Sequence, residues 1–527
     1  MGYSKGINAS AATLTRTRTG DAQCPFSGMC VTCLDGCAGL CEVGKSAVRG
    51  KEVLYPQPFG KTTSASQKDY PVDYSHFNIM GTAAGAFGIA PDPDQAIFPA
   101  VSLESAVGAN GELKLALPVI VAAMGSTNVA ADNWDHLAAG AAISGVGIVI
   151  GENVCAMDPE VEIKNGRVVH SPALSRRVKD FQRWSTDKGF LAVQANVEDT
   201  RLGVQEYAIE KLNVEAVELK WGQGAKDIGG EVKLNTLERA RQLKSRGYIV
   251  LPDPENPQVQ AAFQAGAFSE FERHSRIGMV EYESFLARVE ELRKAGAKYV
   301  FLKTGAYRPV DLARAVKFAS DARLDLLTVD GAGGGTGMSP WRMMNEWGVP
   351  TVYLQALLVK YLDRLAAKGA YVPPVAIAGG FALEDLIFKG LAIGAPYTKA
   401  VGVARSPLAA AMVGKTVGLA VKSGKVPNEY KKYGDTLEQV FIAAAELKEK
   451  LGCEAFDRLP VGAVGVYTYF ERIAQGLRQF MCGARKFALS YLSRDDVAAL
   501  TKRAAEITGV RYIMDVDAEA VEEIFAN

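Results

Sequence analysis

Two patterns in this sequence could do chemistry: thiols crowded near one end, and glycine pairs closing apolar runs. Five of the eight cysteines form Cys24-x5-Cys30-x2-Cys33-x3-Cys37-x3-Cys41. Thiolates at such gaps in a Gly-rich loop can converge on one iron–sulfur cluster, and zinc would also accept four of them. Cys30, Cys33, Cys37 and Cys41 are the expected metal ligands, with Cys24 spare. Cys155, Cys453 and Cys482 stand alone in sequence and read as small buried hydrophobes. The four histidines have no metal-ligand spacing.

The glycines suggest a phosphate. Val375-Ala-Ile-Ala-Gly-Gly380 is an apolar run ending in paired glycines, and Tyr397-Thr-Lys-Ala-Val-Gly-Val-Ala404 is a second run ending in small residues. Two adjacent strand ends with bare backbone, Gly379 and Gly380 beside Gly402 and Ala404, can turn several N–H groups toward one phosphate. Asp330-Gly-Ala-Gly-Gly-Gly-Thr-Gly337 is too glycine-rich to be structural filler, since each glycine costs conformational entropy. A flat ring pressed against the backbone of Gly333, Gly334 and Gly335 would account for it.

These loops need a scaffold. Short apolar runs at 117–124, 147–151, 191–196, 216–221, 299–303, 324–330, 375–380 and 399–404 alternate with helical stretches. Strands apolar throughout and separated by helices pair in parallel. Eight of them predict a closed (β/α)8 TIM barrel, an α/β fold whose chemistry sits where the strands end. Its last two strands commonly build a phosphate site. Residues 1–75 read as a Cys-rich N-terminal extension, 76–410 as the barrel, and 411–527 as a helical C-terminal extension packed on it. Residues 225–297 are too long for one connection and read as an inserted loop and helices over the barrel mouth.

Lys+Arg and Asp+Glu both number 59, so net charge offers no reason to expect nucleic acid or an anionic membrane as partner. It also permits a homo-oligomer. The start of the chain has no apolar leader, and the longest apolar stretch is too short to span a bilayer. The expectation is a soluble, cytoplasmic protein. No P-loop, Ser-His-Asp arrangement or strand-linked GxGxxG is present.

Several motifs carry a family resemblance. DGAGGGTGMSP at 330–340 resembles the Gly-rich motif of the FMN-binding synthase domain of glutamate synthase. VELKWGQGAK at 217–226, followed by Gly229-Gly230, is similar to that family's stretch after the fourth strand. Val193-Gln-Ala-Asn196, Thr200-Arg-Leu-Gly-Val204, and Tyr469-Phe470 through Met481 resemble further family segments in the same order, over roughly residues 110–495.

The resemblance implies FMN. Ala123, Met124 and Gly125 would line the flavin, Gln194 would bond its pyrimidine edge or ribityl chain, and Lys303 would face N1 and O2. A cation there stabilises an anionic reduced flavin. Lys226, with Lys220 and Gln223 beside it, falls where the family binds substrate, and Arg241 on the following helix is a weaker candidate. Lys226 and Lys303 are the expected catalytic residues. The implied reaction is reductive amination of a 2-oxo acid, 2-oxoglutarate to glutamate. Electrons would come from ferredoxin or a reductase subunit.

Three departures stand out. The family's Pro-Pro-His-His-Asp segment reads Pro252-Asp-Pro-Glu-Asn256 here. The sequence opens Met1-Gly2-Tyr3 where the resemblance would put a Cys nucleophile, so the expectation is a form without the glutaminase domain, taking ammonia free or from a separate amidotransferase subunit. The family's cluster cysteines after strand eight are absent, and the N-terminal cysteines would instead carry a [4Fe–4S] cluster feeding the flavin. An oxidoreductase acting on another small substrate, and an electron-relay subunit of a complex, remain as alternatives.

Overall fold

The computed structural model of the chain describes residues 33–39, 41–50, 70–222, 231–268, 270–334 and 347–526. The expected runs form eight strands: β1 (Val119–Met124), β2 (Gly147–Ile150), β3 (Phe190–Ala195), β4 (Ala216–Lys220), β5 (Tyr299–Thr304), β6 (Leu326–Asp330), β7 (Val375–Ala378) and β8 (Thr398–Val403). They pair in parallel in chain order, and β8 closes on β1 through Val401 opposite Val119, so the predicted TIM barrel is the fold.

Alternation along each strand explains what fills the barrel. Side chains two residues apart share a face. Ala192, Ala216, Phe301 and Leu326 form an apolar inner layer, with the Phe190 and Phe301 rings meeting edge-on at 5.3 Å. Two residues further along each of these strands come Gln194, Glu218, Lys303 and Thr328, all buried. The barrel is thus apolar at its floor and polar where the strands end.

Four helices brace the β8 side: α1 (Glu42–Arg49), α2 (Trp134–Ile143), α3 (Arg405–Lys422) and α4 (Val461–Gly483). α4 packs on α2 and α3, and α1 packs on α3 and α4. Small residues allow the close approach; a Cβ on Gly414 would lie 2.7 Å from the carbonyl oxygen of Gly462. The expected barrel boundary at 410 falls inside α3. The Ala- and Gly-rich run from 405 to 422 continues one buried helical face across that position.

The inserted region holds more than loops and helices. Glu231–Leu234, Ile249–Leu251 and Phe271–His274 form a three-stranded antiparallel sheet with the last in the centre. These strands are only three or four residues long, too short for periodicity to reveal. Among the described residues no helix is long and apolar enough to cross a membrane.

Candidate active site at the barrel mouth

The polar layer is a set of buried pairs. Gln194 on β3 donates from Nε2 to Glu218 Oε1 on β4 at 2.5 Å, the two residues being in register. That bond fixes the amide, and the Gln194 oxygen Oε1 is buried with no hydrogen-bond partner among the described residues. A buried acceptor without a donor is costly unless something supplies one. Burial pushes the Glu218 carboxyl above its ordinary range, against the opposing pull of Lys303 and Gln194.

Lys303 on β5 lies 3.1 Å from Asp330 at the end of β6. Burial works against its charge, but Asp330 and Glu218 outweigh that and hold the ammonium above its usual pKa. Beside it, Lys220 reaches Glu152, just after β2, at 2.6 Å. Burial opposes ionisation of Glu152, and Lys220 overcomes it, so the carboxylate stays below the usual range. Three carboxylates and two ammonium groups therefore meet at the strand ends.

Across the mouth the surface is backbone. Thr351 Oγ1 donates to the carbonyls of Ala332 and Gly379 at 3.0 and 2.8 Å, tying the turn after β6 to the one after β7. Gly379 must be glycine twice over. Its φ is +120°, and a Cβ there would sit 2.5 Å from Thr351 Oγ1. Gly380, at φ +101°, has room over Gly333. Gly402 is in register with Ala378 on β7, and Ala404 caps the start of α3. Gly333, Gly334, Gly379 and Gly380 are thus brought together.

The other end of the arc is β1. Arg177, buried beneath it, donates to the carbonyls of Met124 and Gly125 at 3.1 and 2.9 Å. Burial lowers the Arg177 pKa to about 10. Ala123 packs against the inner apolar cluster, whereas Met124 packs outward, because β1 shifts register between Val121 and Met124.

A cavity of about 760 Å³ opens over the ends of β3, β4 and β5, bounded by Glu152, Lys220, Trp221, Tyr307 and the inserted sheet's Arg273. It lies on the side of the mouth away from the paired glycines. Beneath it, Asp199 is buried; its Oδ2 accepts from the Asn153 N–H at 2.7 Å, its Oδ1 has no partner among the described residues, and burial lifts its pKa to about 7.

Among the expected site residues, Gln194, Lys220 and Lys303 converge at the mouth. Gln223, Lys226, Gly335 and Cys30 lie outside the described residues. Arg241 does not join them: it is exposed on the helix Leu237–Ser245, bonded to Glu255 at 3.1 Å. A charged helix face in Glu238-Arg-Ala-Arg241 faces water, which is its physical reason for standing apart. Cys33, Cys37 and Cys41 share one loop against α3, held by Tyr430, whose hydroxyl donates to the carbonyls of Ala38 and Gly39. Cys41 caps α1, its sulfur accepting from the Gly44 N–H. Burial, then the neighbouring Cys41, pushes the Cys33 thiol up to about 11. Among the described residues no group of three or more His, Cys, Asp or Glu is arranged to hold a metal. Sequence reasoning missed Glu152, Asp199, Glu218, Arg177 and Arg273 as parts of the site.

A closed eight-stranded parallel barrel defines a TIM-barrel protein, and its buried charged layer lies at the strand ends. Residues 273–414 match the conserved region in glutamate synthase, so the family resemblance holds across β5 to α3 and supports an FMN-dependent oxidoreductase. No curated protein matches the chain by sequence. Among solved structures, the chain is similar to a flavocytochrome b2 double mutant with pyruvate bound, at 14% identity and TM-score 0.46, covering 86% of this chain and 82% of that one. It is also similar to a monotopic membrane protein, (S)-mandelate dehydrogenase, at 12% identity and TM-score 0.43, covering 81% and 89%. A third is a lactate oxidase of Pediococcus acidilactici, at 14% identity and TM-score 0.42, covering 79% and 81%. The fold assignment rests on the strand order itself.

Proposed function

We propose that the chain is a glutamate synthase-type enzyme that reductively aminates a 2-oxo acid, 2-oxoglutarate in the first instance, with FMN as its redox cofactor. The observation that carries the reading is the Gln194 oxygen, buried, without a partner among the described residues, and fixed by Glu218 beside the Lys303 ammonium. An acceptor and a cation in one buried layer suit the imide N–H and the developing negative charge of a flavin. The side-chain-free turns at Gly333, Gly334, Gly379 and Gly380 suit its close approach. FMN, when bound, would supply hydride-level transfer to or from the substrate carbon.

The chain's own groups would do the rest. Lys303 stays protonated through Asp330, offsetting negative charge without an external counterion. Lys220 and Glu152 close the floor of the cavity as a salt bridge. Lys226 is proposed to hold the substrate. A [4Fe–4S] cluster on Cys30, Cys33, Cys37 and Cys41 is proposed as the electron entry; three of these thiols already share one loop docked on α3, near Arg405 at its start. Ferredoxin or a reductase subunit would feed it, and ammonia would come free or from a separate amidotransferase.

The test is anaerobic turnover of FMN-loaded protein with 2-oxoglutarate, ammonia and reduced ferredoxin. Glutamate should form, and iron with acid-labile sulfide should co-purify. If neither 2-oxoglutarate nor any other 2-oxo acid reoxidises the reduced protein in the presence of ammonia, the assigned reaction is wrong.

A further inference from the structure

We propose that Arg273 is an anion anchor: it binds a carboxylate of the small molecule that occupies the 760 Å³ cavity. The proposal rests on the reading of this mouth as the place where a substrate is held, and names the side chain that would hold it. Five cationic side chains line the cavity: Lys220, Arg273, Arg276, Arg288 and Arg314. Four already have a carboxylate. Lys220 pairs with Glu152, Arg276 with Glu198, Arg288 with Glu206, and Arg314 with Asp311.

Arg273 differs. It is 1% exposed, and the acidic groups that act on it, Asp199, Glu198 and Glu152, do so from beyond ion-pair distance. Its hydrogen bonds go to neutral groups, NH1 to Asn153 Oδ1 and NH2 to Ser275 Oγ, both at 3.0 Å. Its guanidinium lies 4.9 Å from the Tyr248 ring centroid. Among the described residues no carboxylate comes within ion-pair distance, and Nε has no partner at all. A buried cation is stable only when something pairs it, and the planar fork of arginine matches a carboxylate in two places. The local structure holds the group for that purpose. Residue 273 sits on the central strand of the inserted sheet, paired on both sides through Val232 and Val250. Asn153 ties it to the β2 loop and, through its own N–H, to Asp199.

The test uses calorimetric titration of the full-length protein with glutarate, an unreactive dicarboxylate, and with glutaramide, its neutral counterpart. Wild type should bind glutarate and ignore glutaramide. R273Q should weaken glutarate binding by about 30-fold or more, and R273K by less, because lysine keeps the charge but loses the fork. R276Q, which removes a cation that already has a carboxylate, should bind nearly as wild type does. Should R273Q fail to fold, R273K and the wild-type shift of melting temperature with glutarate carry the test. Equal glutarate affinity in wild type and R273Q, or no difference between glutarate and glutaramide in wild type, would overturn the proposal. The titration reads glutarate binding alone, so a protein that takes up no FMN would sink the redox reading while leaving this result readable.

Discussion

Gln194 and Glu218 face each other across β3 and β4, nitrogen to oxygen at 2.5 Å, and the contact leaves the Gln194 oxygen as a buried acceptor with no donor among the described residues. A carboxylate orients an amide more firmly than a neutral group does, because only the NH2 end can meet it. Q194L should therefore weaken FMN binding by roughly tenfold or more, the worth of about 1–3 kcal/mol for a buried hydrogen bond. E218Q should weaken it less, since the amide is then free to turn over. Flavin fluorescence quenching measures both. Equal affinity in Q194L and wild type would remove Gln194 from the flavin site.

Lys303 and Asp330 form a buried pair at 3.1 Å. Removing one partner leaves the other charge stranded, at a cost of about 3–5 kcal/mol. K303M and D330N should each lower the urea midpoint, whereas K303M/D330L should recover much of the loss. In the flavin-loaded protein K303M should also make the cofactor harder to reduce, read as a more negative midpoint potential. Additive losses in the double variant would show that the two side chains do not act as a pair.

Gly379 carries φ +120° and would place a Cβ 2.5 Å from Thr351 Oγ1. G379A should destabilise the chain by about 2 kcal/mol or more, through backbone strain and the clash together. G380A, strained but open in space, should cost less stability. Thermal melts of the two variants in the absence of FMN separate these effects. A G379A melt matching wild type would contradict the tight tie between the β6 and β7 turns.

Asp199 gives a pH dependence with a definite sign. Burial lifts its carboxyl to about 7 in the folded chain, from an ordinary 3.8. The folded state therefore holds the proton where the unfolded state has lost it. Stability from this group is full below the unfolded value and falls as pH rises toward the folded one. D199N keeps an acceptor for the Asn153 N–H and cannot ionise. It should flatten the stability profile between about pH 4 and 7 and raise stability above that range by an amount on the order of 2–4 kcal/mol. Urea unfolding across that range decides it; parallel profiles for the two proteins would be inconsistent with a buried, titrating Asp199.

The barrel was legible because each strand is buried on both faces and so is written as an unbroken apolar run closed by glycine or a charge, as in Val375 to Gly380. Lys303 was expected from the family resemblance rather than from the strand pattern, and the structure buries it at the end of Tyr-Val-Phe-Leu. The partners were not. Asp330 stood in a glycine motif, Glu218 inside a segment read for its lysine, and Glu152 meets Lys220 only because β2 and β4 both flank β3. Such pairings depend on closure of the barrel, which local pattern does not encode. Arg273 was hidden differently, in a four-residue strand whose sheet partners lie more than twenty residues away on average, beyond any short-range periodicity. Arg241, the weaker candidate, lies on a solvated helix face paired with Glu255, as the charge pattern of Glu238-Arg-Ala-Arg241 also allowed.

The most direct test is titration of FMN into the purified full-length protein, with wild type and Q194L compared side by side. The account predicts stoichiometric uptake by wild type, with quenched flavin fluorescence and a shifted flavin band, and clearly weaker uptake by Q194L. Folded wild-type protein that stays colourless and leaves flavin fluorescence unchanged would contradict it.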